Sequence, residues 1–133
     1  MSNSFTIDVT VSGRIDDVIE KVTAALATEG FGILTRVDVD KTFKKKLDVD
    51  FRPYVILGAC NPNLAHQALN ARGDVGIMLP CNVTVEQSGD NECLVRLADP
   101  KAMMTFADLG ENETLQRLGE EAAVKFASVA AAL

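Results

Sequence analysis

The sequence predicts an α+β fold in which helices cover one face of a mostly antiparallel sheet. Three observations carry this prediction. Apolar residues alternate in short runs, segments with three- and four-residue apolar spacing separate those runs, and a tight polar turn, Ser88-Gly89-Asp90-Asn91, joins two of them. At 133 residues the chain is near the commonest domain size, so one core and a single domain over residues 1–133 are expected.

From Phe5 the residues alternate, with Phe5, Ile7, Val9 and Val11 on one side and Thr6, Asp8 and Thr10 on the other, which predicts a first strand with one buried face. Between Ser12 and Gly30 the period changes. Ile15, Val18, Ile19, Val22, Ala25 and Leu26 recur at helical spacing, with Asp16 and Asp17 in the first turns, where the helix dipole favours negative charge. Gly30 suits the left-handed end of that helix, and Ile33, Thr35, Val37 and Val39 then alternate as a second strand. Asp40 is placed to cap a short edge helix with Phe43 and Leu47 on one side and Lys44, Lys45 and Lys46 outside. The nearby Asp38, Asp40, Asp48 and Asp50 make that lysine run a solvated face rather than an anion site.

Arg52-Pro53 leads into the buried strand Tyr54 to Ala59, which ends at Cys60. Asn61-Pro62 is a helix start, because Asn accepts from orphan amides and Pro fits the first helical position; Leu64, Ala65, Ala68 and Leu69 form its inner face. Val75 to Leu79 is an apolar, strand-like run, interrupted by Pro80-Cys81-Asn82 before Val83 to Glu86. The turn at 88–91 makes that segment and Glu92 to Ala98 a hairpin. Asp99-Pro100 opens a short helix with Met103, Met104 and Phe106, all read as packing. Leu115, Leu118, Ala122, Phe126, Val129, Ala130 and Leu133 define a long final helix capped by Asn112.

Composition narrows the function. With 47% hydrophobic and 24% charged residues the chain is too apolar for disorder. Aromatics are only 5%, with no Trp, so the core is aliphatic and stacking platforms for bases are poorly supplied. A net charge of −6 repels phosphate backbones, and nucleic acid is not an expected partner. The apolar stretches fall short of the roughly 20 residues a membrane helix needs. Met1-Ser2-Asn3-Ser4 lacks the features of a secretory signal, so a cytoplasmic protein is expected. The odd set of three cysteines then reads as reduced thiols.

One constellation could carry chemistry. Cys60 precedes a helix N-terminus, where partial positive charge can lower a thiol pKa, and His66 lies on the same helical stripe as Pro62, leaning back toward Cys60. Cys81-Asn82 repeats the Cys-Asn pair after another proline, on a segment that can lie beside the strand ending at Cys60. Cys60, His66 and Cys81 are therefore candidate ligands for a soft metal, and Cys60, Asn61, His66, Cys81, Asn82 and Arg52 are candidates for a small-ligand cleft. Packing is the competing explanation, since free Cys is among the most buried residue types. Cys93, in the alternation Cys93, Val95, Leu97, is assigned to the core. No phosphate loop, nucleophile elbow or closed zinc pattern is present in the sequence, so no motif names a reaction or a cofactor.

At Arg52-Pro53-Tyr54, Ile56 to Pro62, Ala65-His66, Leu79 to Val83, Gly30 to Thr35 and Asp99-Pro100 to Met103 the chain resembles the family catalogued as domain of unknown function 302. The resemblance implies a curved antiparallel sheet with helices on one face, like the TATA-box-binding-protein class, and a homodimer. It assigns no catalytic residue and carries no DNA binding, because fold does not fix function. Three readings follow: a homodimeric domain whose Cys/His-lined cleft holds a small molecule or soft metal ion, a redox or sulfur-transfer enzyme using Cys60, and a structural or regulatory dimer without a ligand.

Overall fold

The computed structural model describes residues 5–133, and the reading of Met1 to Ser4 as lacking a signal lies outside the described residues. Its framework is a five-stranded antiparallel sheet formed by β1 (Thr6–Ser12), β2 (Gly32–Asp38), β3 (Tyr54–Cys60), β4 (Cys81–Gly89) and β5 (Glu92–Ala98). The spatial order is β1-β5-β4-β3-β2, so β1 and β2 are the edges. The helices are α1 (Ile15–Thr28), α2 (Val39–Leu47), α3 (Pro62–Ala71), α4 (Pro100–Met104) and α5 (Glu113–Ala131), joined by 3-10 helices at Gly73–Met78 and Ala107–Glu111.

Alternation sorts the strand residues into two faces. Val11, Val55, Leu57, Ala59, Val83, Val85, Cys93, Val95 and Leu97 are buried against the helices, as the period-two pattern requires. The helices answer with Val18, Val22 and Leu26 from α1 and Leu115, Phe126 and Val129 from α5, and Phe126 meets Phe31 with ring centroids 4.7 Å apart. Each large aliphatic or aromatic side chain so buried contributes about 1.5–3 kcal/mol relative to exposure. The expected caps form: Asn61 Oδ1 accepts from the Leu64 amide at 3.3 Å, Asp99 Oδ1 from Lys101 at 3.0 Å, and Asn112 Oδ1 from Leu115 at 3.0 Å.

The other face, carrying Thr6, Asp8, Tyr54, Ile56, Thr84, Glu86 and Arg96, is not covered by α1 or α5, which lie on the core side. Two devices crowd its middle. Gly58 leaves no room for a side chain without a shift of its neighbours, because a Cβ would stand 2.1 Å from Thr35 Oγ1 and 2.8 Å from Pro80 Cγ. At the hairpin, Gln87 accepts from the Ile15 amide at 2.9 Å and donates to the Gly89 and Glu92 carbonyls at 2.9 and 3.1 Å, which pins the start of α1 to the β4–β5 turn.

Several expectations are corrected. Val75 to Leu79 is not a strand: residues 73–78 form a 3-10 helix in which Val75 is buried and Ile77 is 88% exposed. A short apolar run fits either state, and here the chain must turn from α3 back to β4 in a few residues. Cys81 and Asn82 belong to β4 rather than interrupting it. Val39 begins α2, with Asp38 at the cap position, and Asp40 instead accepts from the Tyr54 amide at 3.2 Å. Leu69 is exposed rather than on the inner face of α3, and Phe5 and Phe106 lie outside β1 and α4, both exposed.

Candidate functional site

The two thiols that sequence singled out are neighbours. Ala59 and Cys81 are partners across β3 and β4, and Cys60 is the next residue along β3. Both cysteines border a narrow apolar cleft of about 50 Å3 at the sheet end, walled by Phe31, Leu64, Met104 and Leu118. Burial pushes the Cys60 thiol pKa up, and burial together with the adjacent Cys60 pushes Cys81 to about 11. Desolvation at this helix start therefore works against the thiolate that the helix dipole would favour. Cys93 is buried in the core, as the alternation predicted.

The remaining sequence candidates are dispersed. His66 is exposed on α3, with Nε2 facing the Asn70 amide at 3.3 Å, and is not among the residues bordering the thiol cleft. Among the described residues no group of three His, Cys, Asp or Glu side chains is placed to hold a metal ion. Asn61 has a structural occupation: besides capping α3, its Nδ2 donates to the Glu29 carbonyl at 3.3 Å, beside Gly30, whose φ of +83° ends α1. Arg52 lies two residues before β3, whose first residue, Tyr54, is already roughly 20 Å by strand rise from Cys60 at its other end. Its Nε donates to Glu86 Oε2 at 2.7 Å and its guanidinium lies 4.4 Å from the Phe51 ring centroid, while Asp48 and Asp50 both pair with Lys44.

A larger cleft lies on the face that α1 and α5 leave open. It encloses about 530 Å3. Tyr54, Thr84, Arg96 and Ala98 form its sheet floor, Ile77 to Pro80 form one wall, and Phe5 and Met103 close its sides. The volume falls in the usual range of about 300–1,000 Å3 for small-molecule sites. Cys81 and Asn82 also border it, so two of the six sequence candidates belong here. Arg72 steadies the wall, its Nη2 pairing with Asp74 at 2.6 Å and its Nη1 with Asp108 at 3.3 Å, which ties one 3-10 helix to the other.

Sequence reasoning missed the polar network behind this floor. Glu86 is 6% exposed and accepts from both Arg52 and Arg96. Burial opposes its ionisation, but the two guanidinium bonds outweigh burial and hold the carboxyl below its ordinary range. Asp8 lies directly across from Arg96 in the β1–β5 register. Thr84 Oγ1 is the one buried side-chain nitrogen or oxygen among the described residues without a hydrogen-bond partner. The hairpin turn was a usable signal, since it sets Thr84 opposite Arg96 and leaves Glu86 on the same face, diagonal to it.

A five-stranded antiparallel sheet carrying helices and an apolar cleft defines a class of small α+β domain. The chain belongs to the family described as Domain of unknown function DUF302, which matches residues 7–133. It is similar to the crystal structure of an uncharacterized conserved DUF302 protein from Bacillus stearothermophilus, with 28% identity and a TM-score of 0.83 over 96% of this chain and 97% of that one. No curated protein matches the sequence.

Proposed function

We propose that this chain is a binding domain for a small, largely apolar molecule, taken in the cleft on the open face of the sheet. The reading is carried by one observation: a cleft of about 530 Å3 whose walls are Phe5, Ile77, Met78, Leu79, Pro80 and Met103, with the polar groups Tyr54, Thr84 and Arg96 gathered at the floor. Ile77, 88% exposed, and Phe5, 66% exposed, supply apolar surface at the mouth that a bound molecule would cover. This keeps the small-ligand expectation and moves its place, from the Cys60–His66–Cys81 group to the neighbouring cavity. Raised thiol pKa values give the redox and sulfur-transfer reading less support, because the thiolate is the nucleophile.

The homodimer and the cytoplasmic setting remain part of the proposal. Among the described residues no helix is long and apolar enough to cross a membrane, and Cys60, Cys81 and Cys93 are free thiols.

The test is a titration of isotopically labelled protein with 1-naphthol, followed by amide chemical shifts. Shifts confined to residues 77–84 and 96–98, weakened at least tenfold by Ala98→Phe, which fills the floor, support the reading. Shifts elsewhere, or binding unchanged by Ala98→Phe, overturn it.

A further inference from the structure

We infer that the cleft selects uncharged ligands, because Arg96, the one charged residue among the described residues that line it, is already paired with Glu86 on one neighbouring strand and stands opposite Asp8 on the other. The inference rests on the proposed small-molecule site and names the chemical class it takes.

Among the described residues that line the cleft, only Arg96 carries a charge. A lone arginine at the floor of an apolar cleft would ordinarily mark a site for a carboxylate or phosphate. Its surroundings remove that reading here. On β4, Glu86 accepts a hydrogen bond from Arg96 Nη1, and on β1, Asp8 is its directly opposed cross-strand partner. Glu86 also holds Arg52, with Nε to Oε2 at 2.7 Å. Two guanidinium groups therefore face two carboxylates, and the set is neutral.

An incoming anion would meet a guanidinium already bonded to Glu86 and would have to compete with that carboxylate. It would lose its hydration in an apolar cleft and lie close to Asp8 and Glu86, so neither desolvation nor repulsion is offset. The chain's net charge of −6 adds to the exclusion at long range. A cation fares little better, since both carboxylates are engaged, Glu86 by two arginines and Asp8 by the Thr6 hydroxyl at 2.8 Å. An uncharged molecule loses nothing of this kind. Thr84, on the floor beside Arg96, has a buried hydroxyl without a partner, and a χ1 rotation that turns it into the cleft would let a ligand's hydrogen-bonding group satisfy it. The class is a neutral, mostly aromatic or aliphatic molecule with a hydroxyl or carbonyl.

The experiment compares three size-matched probes at pH 7 on the full chain: 1-naphthol, 1-naphthoate and 1-naphthylmethylammonium, with dissociation constants from amide shifts at the cleft. The neutral probe is expected to bind at least tenfold more tightly than either ion. In Asp8→Asn, which alters an exposed side chain, and in the near-isosteric Glu86→Gln, one negative charge is lost and the naphthoate disadvantage should shrink at least threefold. Naphthoate binding in the cleft as tightly as naphthol, or a preference unmoved in both variants, overturns the selectivity while leaving the cleft as a binding site. Binding of no probe at the cleft overturns both.

Discussion

Gly58→Ala places one methyl group where the sheet has no room for it. The new Cβ would lie 2.1 Å from Thr35 Oγ1 and 2.8 Å from Pro80 Cγ. Thr35 sits on the exposed edge strand β2 and can swing its hydroxyl away by changing rotamer. Pro80 has a rigid ring at the junction between the cleft wall and β4, so the strain falls mainly there. Overpacking of this kind costs about 2 kcal/mol at mid-range, while alanine returns about 0.75 kcal/mol by restricting the unfolded chain, leaving a net loss of about 1.25 kcal/mol. At about 2.1 cal/mol/K per residue, 133 residues give an unfolding entropy of about 0.28 kcal/mol/K, so Tm should fall by about 4–5 °C in calorimetry. Adding Thr35→Ala removes the closer contact and should recover part of that loss, a coupling that a double-mutant cycle measures. A Tm for Gly58→Ala equal to or above that of the parent would refute the argument that Pro80 and Thr35 close over β3.

Two further outcomes follow from the titrating groups. Because Glu86 has a folded-state pKa below its ordinary value of 4.5, its contribution to stability is complete above that value and is lost as pH falls through the folded pKa. Denaturant unfolding between pH 6 and 3 should therefore show a stability decline that is shallower in Glu86→Gln, and identical slopes would contradict the arginine-held carboxylate. With its pKa near 11, Cys81 should be alkylated by iodoacetamide roughly 300-fold more slowly at pH 7 than a free cysteine of pKa about 8.5, the ratio of their thiolate fractions. Labelling of Cys81 at the free-thiol rate, followed by mass spectrometry of its peptide, would count against the burial that raises it.

Most of the fold was legible because it depends on local pattern. The alternation from Ile7 to Val11 and from Cys93 to Leu97, the caps Asn61, Asp99 and Asn112, and the apolar stripe of α5 all encode their state within a few residues. The cleft depends on longer-range facts. Its wall is the segment whose apolar run, Val75 to Leu79, imitates a buried strand, and only the need to bring β4 antiparallel beside β3 makes it a 3-10 turn. The closeness of Cys60 to Cys81 could be anticipated from two strand ends, but the placement of His66 could not, because an exposed histidine and an inward one share the same helical spacing. Arg52, Glu86 and Arg96 are separated by 34 and 10 residues, so their meeting depends on strand register rather than on any motif.

A crystal structure of the protein soaked with 1-naphthol addresses the binding site itself. The account predicts the ring held between Ile77–Pro80 and the β4–β5 floor, with its hydroxyl near Thr84 and Arg96. Density for the ring beside Cys60 and Leu64 instead, with the larger cavity holding only solvent, would contradict it.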